Sequence, residues 1–427
     1  MRISIVTGGS RGDVQPYIAL GKGLKEAGYE VNLIASQDFE TLVTDAGLTF
    51  CSTGFSVESV LQSDDWRAVM ERGNFFQIVS KMQKEMKHYA HKLAEIMPDL
   101  LQGTDWMITG VAGFGGAFSI AEKLSIPVIQ AYVFPITPTR EYASPLTPHL
   151  PFGRVLNPLS FRILQQMLWQ STRSSDVETR RILNMEKASF WGPFRKLRQR
   201  HVPTIYGYSR HIVPVPSDWD RNHRVTGYWF LDEAPHWTPP PEFVQFLNED
   251  EAPVYIGFGS MVNKNPRQVM ETVVEALALS NQRGVLASGW DGIQQADLPE
   301  TIYMISSMPH SWLFPRMKAI VHHGGAGTTA AGLRAGVPSV IVPFMGDQAF
   351  WGNRIASLGV APKAIPRNQL TAQRLALAIE QAASDADMRQ KARDIGEKIQ
   401  GEDGIRNAVD MVNRITAYPE SKSLITG

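Results

Sequence analysis

The chain has 427 residues, 43% of them hydrophobic and 20% charged, so it is long enough for two or three domains and too apolar to be disordered. Its 42 basic and 42 acidic side chains cancel, which argues against a protein that grips nucleic acid through the phosphates. A single cysteine, Cys51, excludes a disulfide framework and a zinc site built from thiolates, and it fits a reducing cytosol.

The first half of the chain shows the alternation of apolar strand, glycine turn and amphipathic helix that is typical of a parallel sheet. Strands are predicted at 3–7, 31–35, 106–109 and 127–133, and helices at 14–27, 66–101, 117–124 and 159–200. Residues 134–158 are dense in Pro and Thr and predict a long loop. No leader peptide is expected from the first residues, and no run of apolar residues is long enough to span a membrane.

Four prolines between 232 and 243 are the strongest linker signal in the chain, and the same alternation restarts after them. Strands are predicted at 254–258, 284–288, 301–305, 319–322 and 339–343, and helices at 267–280, 369–383, 387–398 and 405–417. We therefore expect an α/β fold of two Rossmann-like doubly wound domains facing across a cleft. The expected units are a first domain at 1–232, a linker at 233–250, a second domain at 251–404, and a C-terminal helix and tail at 405–427 placed to pack back on the first domain.

The first loop that could carry chemistry is GGSRGD, residues 8–13. The dinucleotide fingerprint G-x-G-x-x-G fails, because Thr7 stands where the first glycine belongs and no acidic residue ends the second strand. Two interpretations of Asp13 remain. It can cap the helix, or its carboxylate can act as a general base that takes a proton from an attacking hydroxyl. The loop alone favours the cap.

A second loop, HHGGAGTT at 322–329, follows an apolar strand and leads into a helix. Its small residues allow close backbone approach, and helix N-terminal N–H groups attract an anion, so it predicts a phosphate cradle. The alternative is a packing turn with a buried histidine. No lysine follows the last glycine, which excludes a P-loop.

Two further loops follow strands of the second half. In FMGDQ, residues 344–348, Asp347 and Gln348 offer acceptors and donors that suit a polyhydroxylated ring, although Asp347 could simply cap a helix. In GFGS, Ser260 could donate to a phosphate or cap the next helix. Together these strand ends describe a nucleotide-diphosphate-sugar site better than any one of them does.

Other motifs carry less weight. The two D-x-D triplets, 218–220 and 385–387, could bind a metal and a nucleotide sugar, but their surroundings favour a turn and a solvated stretch. A basic run could touch anionic lipid, although a solvated helix face explains it as well. Its members are Arg195, Lys196, Arg198 and Arg200.

Three stretches resemble the sterol-glucosyltransferase branch of the UDP-glycosyltransferases: GSRGDVQPYIALGKGLKEAGYEV at 9–31, VTGYWFLD at 225–232 and PHSWLFPRMKAIVHHGGAGTTAAGLRAGVPSVIVPFMGDQAFWGNR at 309–354. The resemblance covers essentially the whole chain. It implies the GT-B fold, an acceptor held mainly by the first domain, a nucleotide sugar held mainly by the second, and inversion at the anomeric carbon. It also implies no bound metal and no cofactor, the UDP-sugar being a co-substrate.

The resemblance assigns roles to individual residues. Asp13 becomes the general base. Trp290 is expected to replace the aromatic that plant members stack on uracil, because Ser307 stands at that position. The expected donor-binding set is Ser260, Trp290, Met308, His322, Gly324, Gly325, Ala326, Gly327, Thr328, Asp347 and Gln348. Apart from the resemblance, the aromatic and methionine side chains in the loop after 133 and in the helical stretch 66–101 could line an apolar acceptor pocket or belong to the core. The expected acceptor-binding set is Ser10, Arg11, Phe75, Phe76, Met82, Phe134, Tyr142 and Trp351.

The resulting prediction is a cytoplasmic enzyme that moves glucose from UDP-glucose to a hydroxyl of a lipophilic acceptor such as a sterol or terpenoid. The alternative is a natural-product glycosyltransferase acting on a macrolide, flavonoid or aglycone peptide with a TDP-sugar. A nucleotide-sugar-binding protein without transfer activity is the rival from another class. No nucleic-acid partner and no obligate protein partner are expected, and brief peripheral contact with a membrane stays open.

Overall fold

The computed structural model describes residues 1–56, 89–146, 153–232, 237–259, 266–287, 295–306 and 308–417. Its strands are β1 (Arg2–Val6), β2 (Glu30–Ala35), β3 (Thr49–Ser52), β4 (Trp106–Thr109), β5 (Val128–Tyr132), β6 (Thr204–Tyr206), β7 (His223–Val225), β8 (Val254–Gly257), β9 (Gly284–Ala287), β10 (Ile302–Ile305), β11 (Ala319–His322) and β12 (Ser339–Ile341). Its helices are α1 (Arg11–Glu26), α2 (Glu40–Asp45), α3 (89–100), α4 (Ala117–Leu124), α5 (Gly153–Ile182), α6 (Phe194–Gln199), α7 (Pro241–Asn248), α8 (Pro266–Leu279), α9 (His310–Leu313), α10 (Ala326–Arg334), α11 (Gln348–Ser357), α12 (Ala372–Ser384), α13 (Ala386–Gln400) and α14 (Gly404–Ala417).

The strands form two parallel sheets. The first has seven strands in the order β3-β2-β1-β4-β5-β6-β7, and the second has five in the order β10-β9-β8-β11-β12. In each sheet the strand order reverses beside the first strand of that sheet, between β1 and β4 and between β8 and β11. Ligands of open α/β sheets bind at such switch points, beyond the carboxyl ends of the strands. The expectation of two doubly wound α/β domains is confirmed.

Two details of the first domain differ from the sequence prediction. The helix predicted over 159–200 is two helices, α5 and α6, because Asn184 and Gly192 adopt positive φ angles of 51° and 75° that interrupt the helical path. Strands β3, β6 and β7 were not predicted at all. They have only three or four residues each, which is too short for an alternating pattern to stand out.

The last described helix, α14, packs on α1 rather than on the second sheet. Its buried residues Ala408, Val409 and Val412 lie in the core that surrounds β1 and α1. Gly23 of α1 faces Ile405, and a side chain at that glycine would collide with it. The exact domain boundaries at 232 and 251 stay a prediction.

A second hydrophobic cluster crosses from one sheet system to the other. It joins Tyr208 and Ile212 of the first domain to Phe350 and Trp351 of the second. The rings of Tyr208 and Trp351 meet edge to face with their centres 6.5 Å apart. The Arg354 guanidinium donates to the Ile212 carbonyl oxygen. The two domains are therefore held with the carboxyl ends of their sheets toward each other.

Candidate active site

Asp13 lies in the first turn of α1, just beyond the carboxyl end of β1. Its Oδ2 accepts hydrogen bonds from the backbone N–H and the hydroxyl of Ser10, each 2.8 Å long. Gly9 is required here, since its φ is 121° and a Cβ would come within 2.6 Å of Oδ2. Both interpretations of Asp13 stay compatible, because one carboxylate oxygen serves the cap and the other receives no hydrogen bond from the described residues.

Solvent reaches Asp13, yet protein surrounds it because it lies in the interdomain cleft. Desolvation raises the pKa of the carboxyl, and the two hydrogen bonds from Ser10 offset part of that rise. A carboxylate that holds its proton more tightly is a better base, provided that it stays ionised at the working pH. The local environment of Asp13 thus suits proton abstraction.

The predicted phosphate cradle connects β11 to α10. Gly324 has a φ of 89°, and a Cβ there would lie 2.7 Å from Ile341 Cγ2 and 3.0 Å from the carbonyl oxygen of Gln348. At Gly327 a Cβ would meet nothing within 4 Å, so the first turn of α10 borders open space. The free N–H groups of this nine-residue helix can therefore receive an anion.

The two adjacent histidines of the cradle point in different directions. His322 is fully buried, and its Nδ1 accepts a hydrogen bond of 3.1 Å from the Gly324 N–H, so Nε2 carries the proton. His323 is half-buried and lies beside Gly259 and Gly325 at the end of the sheet. The sequence assigned the diphosphate contact to His322. Its ring is fully buried, and its Nε2 has no hydrogen-bond partner among the described residues, whereas the His323 ring is partly exposed at the cradle.

Two more basic groups adjoin the cradle and were missed or placed elsewhere by sequence reasoning. Burial lowers the pKa of His310 to about 4, with a further contribution from the positive charge of Arg11. Arg11, which was predicted to contact the acceptor, is exposed at the start of α1, and its positive charge also acts on His310. Burial also lowers the pKa of His323, so both rings are neutral at pH 7 and can donate one N–H each.

The loop after β12 places Asp347 at the cleft, and the Gln348 side chain stabilises this loop through hydrogen bonds with its backbone. The Gln348 Oε1 accepts hydrogen bonds from the N–H groups of Phe344 at 2.7 Å and Met345 at 3.0 Å. Desolvation raises the pKa of Asp347 to about 6, the Trp351 indole opposes the rise, and the charge of Asp13 adds to it. That last effect means that the two carboxylates, one from each domain, face the same cleft.

Trp351 does not line an open pocket, contrary to the prediction that it binds the acceptor. It is 1% exposed and packs in the interdomain cluster. Its indole N–H donates to Asp347 Oδ2 at 2.7 Å. Because residues four apart lie on the same face of a helix, the Trp351 indole holds the Asp347 carboxylate in one orientation.

The remaining predicted residues lie in different parts of the chain. Phe134 and Tyr142 are half-buried in the loop after β5, where the Tyr142 ring lies 6.0 Å from that of Phe161. Met308 is half-buried just after β10, and Ser10 is exposed at the start of α1. Residues outside the described part of the chain are Phe75, Phe76, Met82, Ser260 and Trp290.

Both halves of the chain match known glycosyltransferase models. The glycosyltransferase family 28 N-terminal domain matches residues 3–143, and the erythromycin biosynthesis protein CIII-like C-terminal domain matches residues 285–408. A sterol 3-beta-glucosyltransferase of Arabidopsis thaliana is 35% identical over 428 residues, which cover 97% of this chain and 68% of that protein. The chain belongs to the UDP-glycosyltransferase superfamily, in its sterol 3-beta-glucosyltransferase-like branch.

Two other similarities agree with this membership. A sterol 3-beta-glucosyltransferase of Cryptococcus neoformans is 35% identical over 450 residues, which cover 99% of this glycosyltransferase and 27% of the fungal protein. The glycosyltransferase of kitacinnamycin shares the fold with a TM-score of 0.66 at 18% identity, over 97% of this chain and 98% of that one. The expected GT-B fold and the assignment as an enzyme are both confirmed.

The D-x-D triplets of this glycosyltransferase serve structural roles. Asp218 accepts hydrogen bonds from the Thr139 hydroxyl and the Arg140 N–H, and Asp385 caps α13 through the Met388 N–H. In the described residues, no group of three His, Cys, Asp or Glu side chains could hold a metal ion. Within the same residues, no helix has the length and apolarity needed to cross a membrane.

Proposed function

We propose that this glycosyltransferase moves glucose from UDP-glucose to the hydroxyl of a sterol or similar lipophilic acceptor, inverting the anomeric carbon without a metal ion. The observation that carries the proposal is the pair of carboxylates, Asp13 and Asp347, which face one cleft from opposite domains beside the glycine-rich cradle. The names of the Arabidopsis and Cryptococcus relatives supply the acceptor class.

In the proposed reaction Asp13 removes the proton from the acceptor hydroxyl while its oxygen bonds to C1 of glucose. The bond from C1 to the phosphate oxygen breaks, and UDP carries away that electron pair. His323, Thr328 and the N-terminus of α10 stabilise the charge that develops on the diphosphate, which is usually the largest electrostatic contribution. Asp347 and Gln348 orient the sugar hydroxyls so that C1 faces the attacking oxygen.

A TDP-sugar is the alternative donor. The match of residues 285–408 to a domain of an antibiotic biosynthesis protein favours a TDP-sugar and a natural-product acceptor. The residues expected to contact the nucleobase of the donor are Met308 and Trp290, and Trp290 lies outside the described part of the chain.

Ligand-induced thermal stabilisation separates these possibilities. UDP, TDP and NAD are added in turn to the purified protein with a chelator present, because a ligand that binds only the folded state raises the unfolding midpoint. The proposal expects a shift with UDP, followed by transfer from UDP-glucose to a sterol. A shift with TDP alone would redirect the assignment to natural products. Loss of transfer on adding chelator would contradict metal independence.

Transfer itself distinguishes the enzyme from a protein that only binds the donor. Asp13→Asn removes the proposed base and keeps an acceptor for the Ser10 hydrogen bonds. UDP binding should persist while transfer is lost. Transfer at the wild-type rate in this variant would show that Asp13 is only a helix cap.

A further inference from the structure

One side of α5 carries a row of large apolar side chains that no other described residue covers. Val155, Leu156, Leu159, Ile163 and Met167 are 87%, 45%, 47%, 39% and 51% exposed. At about 100° of rotation per residue, these five positions fall within about 120° of the helix circumference. A single exposed leucine is ordinary, whereas five such residues on one helix face mark an interaction surface.

A neighbouring loop extends this row. Phe190 and Trp191 are 53% and 70% exposed. The Phe190 carbonyl oxygen accepts hydrogen bonds from the side chains of Gln166 at 3.2 Å, Gln170 at 3.0 Å and Trp169 at 3.0 Å. The two glutamines lie in the same 120° sector as the row, about two turns along the helix, so the loop is fixed beside it. We call the combined surface the apolar face: Val155, Leu156, Leu159, Ile163, Met167, Phe190 and Trp191.

The inner side of α5 packs on the loop that is predicted to contact the acceptor. Phe161 packs against the ring of Tyr142, and the Gln165 amide donates to the Ile136 carbonyl oxygen at 3.1 Å. Asn157 donates in the same way to Arg140 at 2.9 Å. One helix thus separates the predicted acceptor wall from the apolar face.

The segment that carries the apolar face is predominantly basic, although Glu122 pairs with Arg180 and Lys196 and the charge of Arg154 acts on Glu141. Residues 153–200 contain ten Lys and Arg but only three Asp and Glu, although the whole chain is balanced. Asp176 and Glu178, two of those three acids, are paired with Arg180 and Arg181 at 3.3 and 2.7 Å. Arg154 and Arg162 are exposed on α5 itself. This excess would repel a second copy of the same surface and attracts an anionic partner.

We propose that the apolar face is a docking surface for a lipid bilayer that contains anionic lipids. Aromatic side chains favour the boundary between headgroups and acyl chains, aliphatic chains insert below it, and arginines reach the headgroups. The purpose of the docking rests on the proposed function: a lipophilic acceptor dissolved in the bilayer would lie next to the loop at 134–144.

Vesicle co-sedimentation tests the proposal on the full chain. Vesicles of phosphatidylcholine alone are compared with vesicles that also contain phosphatidylglycerol, at low and high salt. The double variant Leu159→Gln with Ile163→Gln should bind the anionic vesicles at least about tenfold more weakly, because two inserted side chains are lost. Its matched control is Leu279→Gln with Leu377→Gln, two residues of the second domain that are 55% and 66% exposed. The control should bind like the wild type.

Each other outcome contradicts the proposal. Wild-type protein that ignores anionic vesicles, binds neutral ones equally well, or binds undiminished in the double variant would overturn it. So would a wild-type dimer in sedimentation velocity that the double variant dissociates without any vesicle binding. Trp191→Ser, in the exposed loop, gives the same readout if the double variant does not fold. The assay contains no donor and no acceptor, so a failed transfer assay with intact vesicle binding contradicts only the proposed function.

Discussion

The hydrogen bond from Trp351 to Asp347 permits a sharp test of how the site is assembled. Trp351→Phe keeps an aromatic ring in the interdomain cluster and removes the N–H that lies 2.7 Å from Asp347 Oδ2. Burial raises the pKa of Asp347 to about 6 against the opposing effect of this bond. Without the bond the pKa must rise further, and the carboxylate loses a proton only at higher pH.

The size of the effect follows from the chemistry of the bond. A hydrogen bond to a charged group contributes about 1.5–3 kcal/mol, and one unit of pKa corresponds to about 1.4 kcal/mol. The pKa of Asp347 should therefore rise by about one to two units. At pH 7 the ionised fraction would fall from about nine tenths to half or less. Transfer should drop about two- to tenfold at pH 7 and recover in alkaline buffer.

The assay is kcat/KM for the donor as a function of pH, where the acidic limb of the profile should move upward in Trp351→Phe. Trp169→Phe is the matched control, because its buried indole donates to a backbone carbonyl at 3.0 Å rather than to a carboxylate. The control should lose some stability and keep its pH profile. A loss of activity that is uniform across pH in Trp351→Phe would show that Trp351 only packs.

Three other changes have distinct expected outcomes. Asp13→Asn should lower kcat by a factor of about 10² to 10⁴ while UDP binding stays unchanged, and Asp38→Asn should affect neither. His323→Ala should weaken UDP binding about tenfold, as measured by isothermal titration calorimetry. His322→Ala should instead lower the unfolding midpoint and leave the affinity for UDP close to normal. The reverse pattern would assign the diphosphate contact to His322. Gly324→Ala should destabilise the protein by about 1–3 kcal/mol, because the φ angle is positive and the added methyl would lie 3.0 Å from the carbonyl oxygen of Gln348. Urea unfolding measures this change in the free energy of unfolding.

Much of the candidate site could be predicted because the ends of parallel strands have a recognisable pattern in the sequence. A buried apolar run followed by glycine or a polar residue marks the carboxyl end of a parallel strand, and Asp13, Gly324 and Asp347 all follow such runs. Which of two adjacent histidines faces the cleft depends on the register of the last strand residue. Side chains alternate across a strand, so the buried His322 and the partly exposed His323 point in different directions.

Other features could not be predicted from the sequence. Trp351 looks like any aromatic on an apolar helix, and only its position four residues after Asp347 hints at a contact. The row from Val155 to Met167 has the spacing of a core helix. Because α5 is apolar on both sides, periodicity cannot tell which side packs on Phe161 and which stays in solvent.

The pKa of Asp347 connects the donor site to a measurable affinity. If its carboxylate accepts hydrogen bonds from the glucose hydroxyls, only the ionised form binds the sugar well. The affinity for UDP-glucose should then be constant above pH 7 and fall as the pH drops through about 6, by up to about tenfold per unit. The diphosphate and His323 can add their own pH dependence, so the comparison is with Asp347→Asn, which has the same shape and cannot titrate at this position. Titration calorimetry should show weaker binding and a shallower acidic decline in the variant. Equal slopes in the two proteins would mean that the carboxylate does not contact the sugar, and that its raised pKa reflects burial between the domains alone.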